Sequence, residues 1–145
     1  MLFRSGLVPG DTVQRVVNVE NTGNQDFGSV ALTTTSSTSN KLTTDTTNGL
    51  QVKIESCSSS WTEAGTAPAY TYTCSGTKKT VLAQRPIIGA NMALSNLTSL
   101  TAGTQDHILT TVSLPSGSGT DNSFQDLSAT IKFTFDATQR AATAK

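Results

Sequence analysis

The chain has 145 residues, a length that suits one domain, and it is poor in charge. Hydrophobic residues make up 35% and charged residues 14%, and Ser and Thr fill much of the remainder. Ten basic residues balance ten acidic ones, without the basic patch typical of nucleic-acid binders. No stretch is long and apolar enough to span a bilayer, so no membrane span is expected.

The composition is typical of exported β proteins, because β-branched Thr suits a half-solvated pleated surface. The first six residues lack the apolar core of a signal peptide. We therefore expect a mature or truncated secreted chain, located outside the cell or at its surface, rather than a cytosolic protein. Residues 1–140 are expected to form one domain, and residues 141–145 a polar tail.

Two strands are predicted near the start of the chain. Pro9 and Gly10 form a turn, and the β-branched segment Thr12–Glu20 follows it with alternating valines. A turn at residues 21–24 leads to a second strand at residues 27–35, with Val30 and Leu32 buried. The pattern predicts that these two strands form an opening hairpin. Before them, Leu2 and Phe3 are interpreted as the remains of a further strand.

Residues 33–48 are predicted to form a long Ser/Thr-rich loop, because they contain few apolar side chains. Residues 50–55 alternate cleanly, which predicts a strand with Leu50, Val52 and Ile54 directed inward. Another strand is expected at residues 70–74. Pro86 disfavours a central strand around it.

The second half of the chain continues in the same style. Residues 107–114 alternate, with Ile108, Val112 and Leu114 predicted to be inward, and residues 127–135 give the clearest alternation of all. No amphipathic helix of convincing length occurs. Seven to nine strands predict an all-β, antiparallel two-sheet sandwich, of jelly-roll or immunoglobulin-like type.

Cys57 and Cys74 are the two cysteines of the chain, and each lies at the end of a predicted strand. Two thiols without other ligands do not make a zinc site. A disulfide across this loop would stabilise the fold by about 3 kcal/mol, mainly by constraining the unfolded chain. The alternative is a pair of buried thiols in a reducing compartment.

No catalytic residue, metal ligand or cofactor site is predicted. The one histidine, His107, is interpreted as a surface residue, and neither a helical zinc-protease motif nor a Gly-x-Ser-x-Gly elbow is present. Trp61, Tyr70 and Tyr72 could form an aromatic platform for sugar. Packing of these rings beside the disulfide is the alternative.

Several motifs in a fixed order carry a resemblance to a known family. They are LVPGD at 7–11, VENTG at 19–23, LTAGTQDH at 100–107, TVSLP at 111–115, FQDLS at 124–128 and TFDATQR at 134–140. Together they resemble the TasA/camelysin family of secreted bacterial biofilm-matrix proteins, and the ending is similar to actinobacterial members. The resemblance extends from about residue 7 to residue 140.

The resemblance implies a jelly-roll domain that assembles into extracellular fibres, in which a strand near the N-terminus can be donated to the next subunit. The family's signal peptide and first strand are expected to be lacking here, with Leu2 and Phe3 as a strand-donor remnant. We therefore expect a non-enzymatic fibre subunit that associates with itself through strand exchange or with homologous subunits. An adhesive or carbohydrate-binding module is the alternative. A metallopeptidase, the label of some family members, finds no support in these residues.

Overall fold

The computed structural model describes residues 2–5, 8–67, 69–116, 124 and 127–139. Almost all regular structure in this part of the chain is β-strand, as the alternating pattern predicted. The elements in chain order are β1 (Leu2–Ser5), β2 (Thr12–Glu20), β3 (Phe27–Ser36), α1 (Lys41–Thr44), β4 (Gln51–Cys57), β5 (Thr62–Ala64), β6 (Thr71–Thr73), β7 (Lys78–Pro86), β8 (Gly89–Ala93), β9 (Gln105–Ser113) and β10 (Ala129–Gln139).

Two four-stranded antiparallel sheets form a sandwich. The first sheet has the order β1-β10-β3-β8, and the second has the order β2-β9-β4-β7. Strands that are close in sequence lie at matching positions in the two sheets: β1 and β2 at one edge, β3 and β4 in the middle, and β8 and β7 at the other edge. β10 and β9 then return to lie beside β1 and β2, as in two nested Greek keys. This order is that of a jelly roll, which settles the choice between jelly-roll and immunoglobulin-like topology. The short strands β5 and β6 form a separate hairpin.

The core lies between the sheets and is built from the predicted alternating positions. Val30 and Leu32 of β3, and Ile108 and Val112 of β9, are at most 5% exposed. The inward residues of β4, Val52 and Ile54, are completely buried, and Leu114, just after β9, is 1% exposed. The buried apolar residues of this cluster are Leu32, Leu42, Leu50, Val52, Ile54, Val81, Ile87, Met92, Ile108, Val112, Leu114, Phe124, Ala129, Ile131 and Phe133.

The predicted opening hairpin is wrong, because β2 and β3 lie in different sheets. β2 pairs along its whole length with β9, and β3 pairs with β10 and β8. The connection at residues 21–26 is too long for a two-residue hairpin turn, and it crosses from one sheet to the other. Val13 and Val19 of β2 and Val30 of β3 therefore pack on the core from opposite sheets.

The predicted loop at residues 33–48 contains regular structure at its start and in its middle. β3 continues to Ser36, and a single helical turn, α1, begins after Asn40. The Asn40 side chain accepts a hydrogen bond from the Leu42 amide, and the Thr43 hydroxyl accepts one from the Asn40 amide, so the turn is capped. Leu42 is 1% exposed and anchors the segment on the core. Local capping and one apolar anchor therefore order this Ser/Thr-rich stretch.

Pro86 lies at the end of β7, an edge strand of the second sheet, which agrees with the prediction that proline excludes a central position. Among the described residues, no helix is long and apolar enough to cross a membrane. The polar tail predicted at 141–145 lies outside the described residues.

Candidate functional site

The most distinctive feature of the sandwich is the outer edge of β10. β10 has eleven residues, and its inner edge pairs with β3 over most of that length. On its outer edge, β1 pairs only with the first part, Leu2 opposite Lys132 and Ser5 opposite Ala129. No described strand covers residues 134–139 on that side. We call this segment the open β10 edge.

The core is also incompletely covered beside the open β10 edge. Phe135 and Ala137 lie opposite Leu32 and Val30 in the register, so they share the inward face of β10. Yet Phe135 is only half-buried and Ala137 is exposed, whereas Phe133, two residues earlier, is buried. The sandwich therefore exposes both backbone and apolar surface along the same rim.

A narrow apolar cleft reaches the core behind this rim. Val19 and Ile108 line it from the second sheet, and Val30 and Phe135 from the first. Val19 is itself only half-buried on β2, the edge strand on the same side of the sandwich. An additional strand could place apolar side chains against the half-buried Val19 and Phe135.

A polar network fixes the sheet crossover beside the end of β10. The Asn21 amide donates to the Thr104 carbonyl (3.0 Å), and the Gly103 amide donates to the Asn21 carbonyl (2.8 Å). The Asn21 side chain is 2% exposed and bonds within its own turn, with the Gly23 amide and the Gln25 carbonyl. Because Gln139 pairs with Phe27 after this turn, the network positions the far end of the open β10 edge.

Asp106 holds the loop to which Asn21 is bonded. Its carboxylate accepts from the Thr98 amide (3.0 Å), the Thr98 hydroxyl (2.8 Å) and the Ser99 amide (2.7 Å). Burial alone would raise the pKa of Asp106, but these hydrogen bonds outweigh it and hold the pKa below its ordinary value. Asp106 is thus an ionised anchor rather than a proton donor at neutral pH.

The predicted disulfide is present and tethers the β5–β6 hairpin. Cys57 ends β4, and its Cα lies 5.8 Å from that of Cys74, which follows β6. Trp61 at the start of this hairpin donates its indole N–H to the His107 carbonyl (2.9 Å). The segment between the cysteines is therefore joined both covalently and by a hydrogen bond to strands of the second sheet.

The aromatic residues do not share one environment. Trp61 is half-buried, and its polar atom is used within the protein. The Tyr72 hydroxyl donates a hydrogen bond to Glu63 (3.0 Å). The pKa of Tyr72 is raised, mainly by burial and also by this hydrogen bond. Tyr70 is 38% exposed. A sugar platform formed by all three rings stays a prediction, and the Trp61 contact fits the packing alternative.

His107 is bonded to a neutral partner. Its Nδ1 lies 3.0 Å from Asn18 Oδ1 on the adjacent strand, and the side chain is half-exposed. Glu55 on the same side of the sheet forms ion pairs with Lys53 (3.3 Å) and Lys78 (3.4 Å). Among the described residues, no three His, Cys, Asp or Glu side chains lie together as metal ligands would.

Sequence reasoning missed the two residues that hold the crossover, Asn21 and Asp106. The sequence indicated a turn at Asn21, but it did not indicate that the Asn21 side chain is buried. Asp106 adjoins His107 in the sequence, and because successive side chains of a strand alternate, the two lie on opposite faces of β9. Thr98 and Ser99, which donate hydrogen bonds to Asp106, form a Thr-Ser pair that is too common in this sequence to be singled out.

These features define a jelly-roll domain with a disulfide-bonded hairpin on one sheet and an open edge on the other. The model of the camelysin metallo-endopeptidase family matches residues 4–144, so the chain belongs to that family. No curated protein and no solved structure matches the chain. The family description implies a catalytic metal, but the described residues do not form a centre that would hold one.

Proposed function

We propose that this protein is a structural subunit of extracellular fibres, and that copies join by strand donation. The donor is the N-terminal strand, which includes Leu2 and Phe3, and the acceptor is the outer edge of β10 in the next copy. The observation that carries the proposal is the open β10 edge beside an exposed inward face. An edge of this kind is a template for another strand.

The contact between β1 and β10 supports exchange between copies. β1 makes four residue pairs with β10, so its release from its own domain breaks a short ladder. The same register can re-form with a second copy, as in domain swapping, at little net cost in backbone hydrogen bonds.

Export fits the chemistry of the chain. The Cys57–Cys74 disulfide is stable in oxidising surroundings, which are found outside the cytosol. Membership of the camelysin family supports the same location, since the resemblance places its members among secreted bacterial matrix proteins. A location in the extracellular matrix or at the cell surface is part of the proposal.

Cysteine trapping tests the donation directly. Arg4 and Thr130 lie opposite each other in the β1–β10 register, at a spacing that a disulfide can bridge. In the double variant Arg4→Cys/Thr130→Cys, oxidation of monomers gives an intramolecular bond. Oxidation after assembly is expected to give a ladder of covalent oligomers on a non-reducing gel.

The matched controls are the two single variants, which can form at most dimers, and the pair Arg4→Cys/Thr138→Cys, which the register keeps apart. Electron microscopy of the same samples shows whether fibres are present. Fibres whose double variant yields monomeric bands alone would contradict strand donation through β1 and β10.

The family description names a peptidase, and this second function is tested separately. A metal-dependent peptidase would cleave casein in a chelator-sensitive way, and His107→Ala would abolish the cleavage. We expect no such cleavage, because His107 bonds Asn18 and no acidic pair joins it among the described residues. Chelator-sensitive cleavage that depends on His107 would overturn the structural proposal.

A further inference from the structure

The side of the sandwich that carries the open β10 edge has a second edge strand, β2. It pairs with β9 along its whole length, and no strand in the described part of the chain pairs with its other side. The backbone groups on that side could therefore bind an incoming strand, as those of the open β10 edge could. This side of the molecule thus offers two edges at which copies could join.

The sequence of β2 favours such pairing. Residues 12–19 contain four valines and no proline or glycine, and Arg15 is the only charged residue among them. A segment with high β-propensity and little charge is the kind that stacks with copies of itself. An edge strand of this composition is an aggregation hazard unless a charge interrupts it.

The one charge in this segment lies on the inward face of β2. In the register with β9, Arg15 lies opposite Thr110, which is 3% exposed. Val13 and Val19 are on the same face of β2 and pack against the core. The Arg15 side chain is nevertheless exposed, so it reaches water past the free edge of its own strand.

A strand paired with the outer side of β2 would close this route to water. The guanidinium would then lie beneath the new strand and beside the apolar interior, where burial of a charge is costly. The inward residues of β10 along residues 133–137 are Phe133, Phe135 and Ala137, which carry no charge. An incoming strand therefore meets an inward charge at β2 and none at this part of β10.

We propose that Arg15 prevents the β2 edge from pairing with β2 of a second copy, and so leaves β10 as the acceptor edge. An antiparallel pair of β2 strands would bury two guanidinium groups at the joint, one from each copy, and inward charges of this kind oppose edge-to-edge pairing. Arg15 is thus a specificity-determining residue for assembly. The choice of β10 as acceptor rests on the proposed function, whereas the protection of β2 does not.

The test is Arg15→Val, studied under conditions in which the original chain is a monomer. Valine continues the inward apolar series of β2, so we expect a Tm at or above that of the original chain. Sedimentation velocity should show dimers or larger species at a protein concentration at least about tenfold below that at which the original chain first associates. Arg15→Thr, which is also uncharged, should associate in the same way.

Hydrogen exchange locates the new contact. The β2 amides that do not bond to β9 should become protected in Arg15→Val, because a second β2 strand now pairs with them. The amides of residues 134–139 should exchange as in the original chain. No donated strand is needed for this result, so a failure of strand donation through β10 would leave the test of β2 valid.

Arg15→Glu and Gln14→Val are the matched controls. Arg15→Glu removes the arginine but keeps a charge at the inward position, so it should remain monomeric. Gln14→Val adds the same apolar residue at the neighbouring outward position, and it should also remain monomeric because Arg15 is still present. Folded, uncharged variants at position 15 that stay monomeric, association without protection of β2, or association of Arg15→Glu would each overturn the proposal.

Discussion

At the scale of single residues, Asp106 makes the clearest energetic prediction. Its carboxylate accepts three hydrogen bonds from Thr98 and Ser99, and they hold its pKa below the ordinary value. In Asp106→Asn the amide group would face the same donors, so we expect a loss of about 2 kcal/mol at pH 7. Urea denaturation of both proteins across a pH series measures the difference.

The sign of the pH dependence follows from the lowered pKa. The stabilisation is complete above the unfolded-state pKa of about 3.9 and is lost as pH falls through the lower folded-state value. The gap between the two proteins should therefore be constant near neutral pH and close in acid. Asp136→Asn, at an exposed position, is the control and should show little gap. A gap that widens in acid would contradict the assignment.

Thr110 gives a second prediction, in the opposite direction. It is 3% exposed, and its hydroxyl has no hydrogen-bond partner in the described part of the chain. Thr110→Val removes this buried hydroxyl at nearly constant volume, so we expect a gain of about 1 kcal/mol. Calorimetry should show a Tm higher by roughly 3–4 °C.

Thr34→Val is the matched control for Thr110→Val. Thr34 is equally buried, but its hydroxyl donates to the Ile87 carbonyl and accepts from the Gly89 amide (2.9 Å). The same substitution should therefore destabilise there, by about 1–3 kcal/mol. If both variants shifted Tm in the same direction, hydrogen bonding would not be the cause.

At the scale of elements, the disulfide-bonded hairpin should stabilise the fold and protect its own loop. The Cys57–Cys74 bond closes a loop of 17 positions, and its removal in Cys57→Ala/Cys74→Ala should cost about 3 kcal/mol. Limited proteolysis should then cut between residues 58 and 73 much faster. A reductant should reproduce the effect in the original chain and change nothing in the variant; a reductant-insensitive original chain would contradict the prediction.

The elements also show how far the sequence predicts this fold. Alternation placed the buried sides of β3, β4 and β9 correctly, because side-chain direction is a local property of a strand. Pairing is not local: β2 lies beside β9, more than eighty residues later, and no feature of Thr12–Glu20 indicates that partner. The predicted hairpin failed for this reason.

The candidate site was predictable to the same limited extent. Leu2 and Phe3 were recognisable as part of a strand, and the structure places them in β1. The open β10 edge could not be predicted, since it depends on how far β1 extends along a strand at the other end of the chain. An edge becomes visible only when the order of strands in the sheet is known.

At the scale of the whole molecule, the rim between the two sheets should control assembly without controlling folding. Ala137 lies on the inward face of β10 but is exposed, so a lysine there remains solvated in the monomer. A strand that extends beyond the β1 register along residues 134–139 would cover this position, and an inward lysine would then oppose its approach. We therefore expect Ala137→Lys to keep the original Tm within about 1 °C, and to form no fibres under assembly conditions.

The neighbouring position supplies the control for this last prediction. Thr138 is equally exposed, but it lies on the outward face of β10, where an added strand leaves it in solvent. Thr138→Lys should therefore assemble like the original chain, with fibres counted by electron microscopy. Fibres of normal length from Ala137→Lys would show that the joining strand ends before residue 137, as β1 does in its pairing with β10.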